Sequence, residues 1–131
     1  TVMDARNGAL WRVDEAAQEL ELVRARGYPP EAIAAVSRMK LSPTVPICDA
    51  VLRTKPVWLS SHADYAARYP ESAARTAAFR SGGYSVAALP VVIDGRARGV
   101  FALTFLVERG FDEDERSYLE YLALHCAQGF E

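Results

Sequence analysis

The stretch Ala88–Phe105, ALPVVIDGRARGVFALTF, decides the fold. Two apolar runs flank Asp94-Gly95. An Asp-Gly pair in that setting marks a two-residue hairpin turn, because both central residues must take φ above zero. Counting outward from the turn places Ile93 opposite Arg96 and Pro90 opposite Gly99. One face then carries Tyr84, Val86, Ala88, Pro90 and Val92 with Ala97, Gly99, Phe101, Leu103 and Phe105. The other carries Leu89, Val91 and Ile93 with Val100, Ala102 and Thr104, and Arg96 and Arg98 fall near the tip. A hairpin with one wet face alternates; this one is apolar on both, so both faces are covered.

The covers lie on either side in the sequence. FDEDERSYLEYLALHCAQGFE, residues 111–131, predicts a helix. Asp112 and Glu115 have capping-box spacing, and the acids at 112–114 suit the positive end of a helix dipole. Leu119, Leu122, Ala123, Cys126, Ala127 and Phe130 recur at helical spacing and form its core stripe. SHADYAARYPESAARTAAFRSGG, residues 61–83, predicts two Ala-rich helices broken at Pro70. Ser61 and Asp64 cap the first, and Gly82-Gly83 end the second. PICDAVLRT, residues 46–54, is a short helix opened by Pro46. Ile47, Ala50, Val51 and Thr54 share one of its faces, and Cys48 and Leu52 another.

Further toward the N-terminus, YPPEAIAAVSRMK predicts a helix from Pro30, with Ile33, Val36 and Met39 inward. PVWLS is a short strand, with Trp58 a core residue or a pocket wall. Residues 8–27, GALWRVDEAAQELELVRARG, predict two strands about a turn. Leu20 and Leu22 alternate with Glu19 and Glu21, which suits an edge strand. The order ββ, helices, β, helices, ββ, α is that of an α+β domain with an antiparallel sheet. The last helix covers one face of the main hairpin and the middle helices the other. A sheet between a helical layer and a looser, Ala-rich layer is a natural place for a ligand cavity.

Composition narrows the function. The chain has 131 residues, 24% charged and 50% hydrophobic, with a net charge of −2. That is the size of a single domain, residues 1–131. Its arginines are scattered, so no basic stripe points to nucleic acid. No run approaches the length of a membrane span. Two cysteines far apart form neither a disulfide framework nor a zinc motif, and cytoplasmic residence is expected. The chain starts at Thr1 without methionine and reads as a piece of a longer protein. No Ser-His-Asp set, phosphate loop or metal motif appears, so neither catalytic nor metal-binding residues are expected. The residues name no cofactor.

Four stretches together resemble the GAF domain, a small-molecule sensing module of bacterial signalling proteins: ALWRVDEAAQELELVRARGYP, DAVLRTKPVWLSS, LPVVIDGRARGVFALTF and FDEDERSYLEYLALHCAQGF. The resemblance is greatest to those beside histidine kinases and metal-dependent serine/threonine phosphatases. It implies an antiparallel sheet of five or six strands with helices on both faces. It implies a regulatory, non-catalytic domain that binds an unidentified small molecule and signals to a covalently linked output domain. The expected pocket lies among Cys48, Leu52, Trp58, Tyr65, Tyr69, Tyr84, Phe101 and Leu103. It also implies a homodimer through the terminal helices, here with Tyr121, Leu124 and His125. The family's first helix is reduced to TVMDAR, and Lys55 stands where Gly is common. The Asn-Lys-Phe-Asp-Glu signature of cyclic-nucleotide GAF domains is absent. Two alternatives remain: a dimerisation spacer with a collapsed cavity, or a thiol enzyme or redox sensor, since some GAF domains reduce free methionine sulfoxide. The last requires an exposed, ionised Cys48, yet no Lys, Arg or His stands beside it, and it reads as a small buried hydrophobe.

Overall fold

In the computed structural model, which describes residues 7–76, 84–105 and 107–127, Asp94 and Gly95 take φ of 53° and 79°. These left-handed angles make the tight turn that an Asp-Gly pair permits. The chain runs β1 (Asn7–Asp14), β2 (Glu19–Arg26), α1 (Pro30–Val36), β3 (Arg38–Lys40), α2 (Pro46–Arg53), β4 (Val57–Leu59), α3 (His62–Arg68), α4 (Pro70–Thr76), β5 (Ser85–Ile93), β6 (Arg96–Phe105) and α5 (Glu113–Ala127). The strands form one six-stranded sheet in the order β3-β2-β1-β6-β5-β4, and every pairing is antiparallel. Because β3 and β4 lie at opposite edges, the chain between them must cross the sheet, and α2 makes that crossing. The expected end of the second Ala-rich helix at Gly82-Gly83 lies outside the described residues. So do Phe130 and the side chains of Cys126 and Ala127.

Helix starts follow local chemistry. The Ser61 hydroxyl accepts from the Asp64 N–H at 3.0 Å. At α5 the capping box is reciprocal: Glu115 N–H donates to the Asp112 carboxylate at 2.8 Å, and Asp112 N–H to the Glu115 carboxylate at 3.4 Å. Each bond satisfies one of the donors that a helix leaves free in its first turn.

The hairpin register departs from simple counting. Ile93 faces Arg96 and Val92 faces Ala97, but Val91 then faces Gly99 and Pro90 faces Val100. One extra residue, Arg98, bulges out of β6. Beyond the bulge, every β6 side chain sits on the face opposite to that expected, since one residue of slip flips a strand. Phe101, Leu103 and Phe105 therefore share a face with Ala87 and Leu89, while Val100 and Ala102 join Val86 and Ala88. Pairing of β5 with β4 ends at Ala88, before Pro90, which has no N–H to continue a ladder.

Two further expectations are corrected. The helix from Pro30 stops at Val36, and Arg38–Lys40 form β3 on the flank of β2, so β2 is not an edge strand. Arg38 explains the docking: its guanidinium reaches Asp14 at 2.7 Å, Glu19 at 2.9 Å and Glu21 at 3.1 Å. The Arg38 hydrogen bond, with help from the Ala17 N–H, holds the Asp14 carboxyl below its ordinary range. The network is solvent-exposed and screened, so it sets register more than stability.

Two cores result. On one face, Ala9, Trp11, Val86, Ala88, Val100 and Ala102 meet Ile47, Ala50 and Val51 of α2 and Tyr65 of α3. On the other, Ala87, Leu89, Leu103 and Phe105 meet Phe111 and the α5 residues Leu119 and Ala123.

Candidate functional site

The α2 face of the sheet is not filled. A cavity of about 420 Å³ lies between it and the helices above, within the range of small-molecule sites. Its floor is Trp11, Val86, Ala102 and Thr104 of the central strands. Its walls come from Ala32 and Val36 of α1, Val45 and Ile47 at the start of α2, and Tyr65 and Ser72 of α3 and α4. The exposed lining residues Lys40 and Arg75 mark its mouth.

Specific bonds hold these walls apart from the floor. Trp11 Nε1 donates to the Val36 carbonyl at 3.1 Å, satisfying an acceptor at the open end of α1 and fixing that helix over the floor. Tyr65 stacks edge-on to Tyr69 and Tyr84, with centroids 6.3 Å and 5.8 Å away, and its hydroxyl lies 2.8 Å from Ser72 Oγ. Beneath it, the Tyr69 hydroxyl donates to Asp49 Oδ2 at 2.5 Å, and Arg53 Nε donates to Asp49 Oδ1 at 2.9 Å. Asp49 is buried, so this pair locks the α3–α4 junction to α2. Burial, reinforced by the Asp49 carboxylate, pushes the Tyr69 phenol up to about 12.

Two polar features stand out. The Thr104 hydroxyl, fully buried at the floor, has no hydrogen-bond partner among the described residues. Such a group costs about 1–3 kcal/mol. The lining also includes Lys40 and Arg75 but, among the described residues, no aspartate or glutamate.

Of the residues expected at a pocket, Tyr65 lines the cavity. Cys48, Tyr69 and Tyr84 lie in the same core but behind the lining. Cys48 is wholly buried, with Sγ 3.6 Å from the Lys40 carbonyl, and burial pushes its thiol up. It therefore stays protonated and sealed at neutral pH. Tyr84 bonds His62 Nδ1 at 3.1 Å through its hydroxyl. Leu52 is 49% exposed, because it points away from the face of α2 that buries Ile47, Ala50 and Val51. Phe101 and Leu103 face α5 because of the Arg98 bulge. Trp58 pairs with Ala87 and so also faces α5, where it packs on Phe111 at 5.3 Å. The sequence reading missed Arg75, Lys40 and Thr104; the one available signal was a lone hydroxyl in the apolar run VFALTF.

On the outer surface of α5, Tyr118, Tyr121 and Leu124 are exposed, and His125 stands edge-on to Tyr121 at 4.5 Å. A smaller hollow of about 260 Å³ adjoins Leu124, between α5 and Pro56, Pro90 and Val92. Among the described residues no cluster of three His, Cys, Asp or Glu side chains is placed to hold a metal, and no helix is long and apolar enough to cross a membrane.

Comparison with known proteins bears on this geometry. Residues 1–131 match the family described as GAF domain. No curated protein matches. Among solved structures, the chain is similar to the GAF domain of a phosphoenolpyruvate-protein phosphotransferase from Coxiella burnetii, with 19% identity and a TM-score of 0.75 over 96% of this chain and 71% of that one. It is similar to a GAF domain/HD domain protein from Geobacter sulfurreducens, with 17% identity and a TM-score of 0.71 over 95% and 78%. It is also similar to free methionine-R-sulfoxide reductase from Neisseria meningitidis, with 21% identity and a TM-score of 0.70 over 95% and 66%. At these identities the likeness is one of fold.

Proposed function

This chain belongs to the GAF domain family, and from that premise we propose that it is the ligand-sensing regulatory domain of a longer bacterial signal-transduction protein. It works in the cytoplasm, binds a small molecule in the cavity under α1 and α3, and passes its ligand state to a covalently linked output domain. The observation that carries this reading is the cavity itself, held open by the Trp11–Val36 bond and floored by an orphaned hydroxyl. A spacer would have no reason to leave either. The buried, protonated Cys48 argues against thiol chemistry. One structure of similar fold joins a GAF domain to an HD domain, which accords with a linked output.

Transmission needs only one strand thickness. Val86 and Ala88 face the α2 side and Ala87 and Leu89 face α5, so a shift of β5 or β6 on ligand binding moves the seat of α5. The ligand acts by binding two arrangements of this sandwich with different affinity. The test is native mass spectrometry of the purified domain beside Ala102→Phe, whose ring rises from the floor into the cavity. Wild type should carry a noncovalent small-molecule mass and the variant should not. Bare chain in both preparations would favour the spacer.

The exposed Tyr121 and Leu124 support a homodimer along α5, because large apolar groups clustered outside a buried stripe mark a contact surface. Sedimentation at high concentration should show wild type associating and Leu124→Glu monomeric, with unchanged unfolding. Two identical monomers would leave this face as solvent surface.

A further inference from the structure

We infer that the cavity selects a small carboxylic acid on an apolar body, its carboxylate held at the mouth by Arg75 and Lys40 and its body lying over the floor that carries the Thr104 hydroxyl. This rests on reading the cavity as a ligand site. The first observation is a charge imbalance. The chain has more acids than bases, 17 against 15. Six arginines, Arg12, Arg38, Arg53, Arg96, Arg98 and Arg109, pair with carboxylates. Yet among the described residues Arg75 and Lys40, both in the cavity lining, have no ion-pair partner, and no acid shares that lining with them. The Arg75 charge is felt as far in as the Cys48 thiol, behind the wall formed by Ile47. A bound anion would supply the missing partner, and charge-assisted bonds are the strong ones.

The second observation is the buried, unpartnered Thr104 hydroxyl on the cavity floor. It can donate to or accept from a polar atom at the tip of a ligand. The remaining lining is mainly apolar, with Trp11, Met39, Val86 and Ala102 offering a surface for a ring beside the hydroxyl-bearing Ser42, Thr44 and Ser72. A phosphate fits less well. Phosphate sites are built on glycine-rich loops and helix N-termini with several free N–H groups, and among the described residues no glycine lines this cavity.

The test uses three probes with one ring and different charge: phenylacetate, phenylacetamide and phenethylamine. Each is titrated at millimolar concentration into the ¹⁵N-labelled domain, following the amides of the cavity residues. Phenylacetate should bind about tenfold more tightly than the amide, since hydrogen bonds to charged groups are worth more than neutral ones, and the amine should bind least. Arg75→Gln should remove most of that preference by weakening the acid far more than the amide, with the amide spectrum of the free domain still that of the folded wild type, a readout that a structural role for Arg75 would not give. Thr104→Val should leave the charge preference intact and give binding to probes bearing a para-hydroxyl no advantage over those without one. Equal affinity for acid and amide, or a preference for the amine, would overturn the charge inference and leave the ligand site standing. If no probe of any charge shifts the cavity amides, both readings fall.

Discussion

Truncating Phe105 to alanine should cost about 3–5 kcal/mol, the usual range for a large aromatic removed from a core. Phe105 is 2% exposed and packs edge-on to Phe111 with centroids 5.8 Å apart. The Arg109 guanidinium lies 4.9 Å above its ring and Arg109 also pairs with Glu115, so one side chain ties β6, the following loop and the start of α5 together. The layer it anchors is thin. Ala87, Leu89, Leu103, Phe111, Leu119 and Ala123 are its other buried members, and three of those six come from α5 and the loop before it. Global stabilities of about 5–15 kcal/mol make such a loss large. Urea unfolding should show a lower midpoint with an unchanged slope. A loss under about 1 kcal/mol, below the range for any large core truncation, would mean that α5 is not seated as described.

Replacing Asp49 with alanine should cost nearly as much, about 3 kcal/mol, because it removes a charge-assisted bond and strands the buried Tyr69 hydroxyl. Arg53 contributes little to this loss, being largely exposed. Tyr69→Phe removes the same bond from the other side, leaving a buried carboxylate one donor short. In a double-mutant cycle the two changes should therefore be strongly non-additive. The Tyr69 phenol also sets an alkaline limit. Its folded pKa, about 12, lies above the ordinary value of 10.0, so the neutral form is favoured in the folded state. That contribution is complete below pH 10 and is lost as pH rises toward 12. Wild type should lose stability across that window and Tyr69→Phe should lose less. Equal alkaline slopes would contradict the buried Tyr69–Asp49 pair.

What could be read from the sequence was local. The Asp94-Gly95 turn, the caps at Ser61 and Asp112 and the opening of α2 at Pro46 depend on a few neighbouring residues, and each appears where its chemistry puts it. The order of elements then gave the α+β sandwich. What counting along the chain did not reveal was the Arg98 bulge, which is set by how β6 fits between β1 and β5. That single residue moves Phe101 and Leu103 away from the cavity and brings Ala102 and Thr104 to its floor. Likewise β3 has weak strand character of its own, and pairs because Arg38 finds three carboxylates on its neighbours. Lys40 and Arg75 are far apart in sequence, and only the fold brings both into the lining of one cavity.

The central claim is that the state of the cavity on one face of the sheet is felt by α5 on the other. Hydrogen exchange of the α5 amides, residues 113–127, compared between wild type and Ala102→Phe, whose ring intrudes on the cavity, tests it directly. A change of about 1 kcal/mol in local opening is a factor of about five in rate. The account predicts a shift of at least that size along α5, although Ala102 does not touch it. Altered exchange confined to α1, α2 and α3, with α5 unchanged, would contradict it.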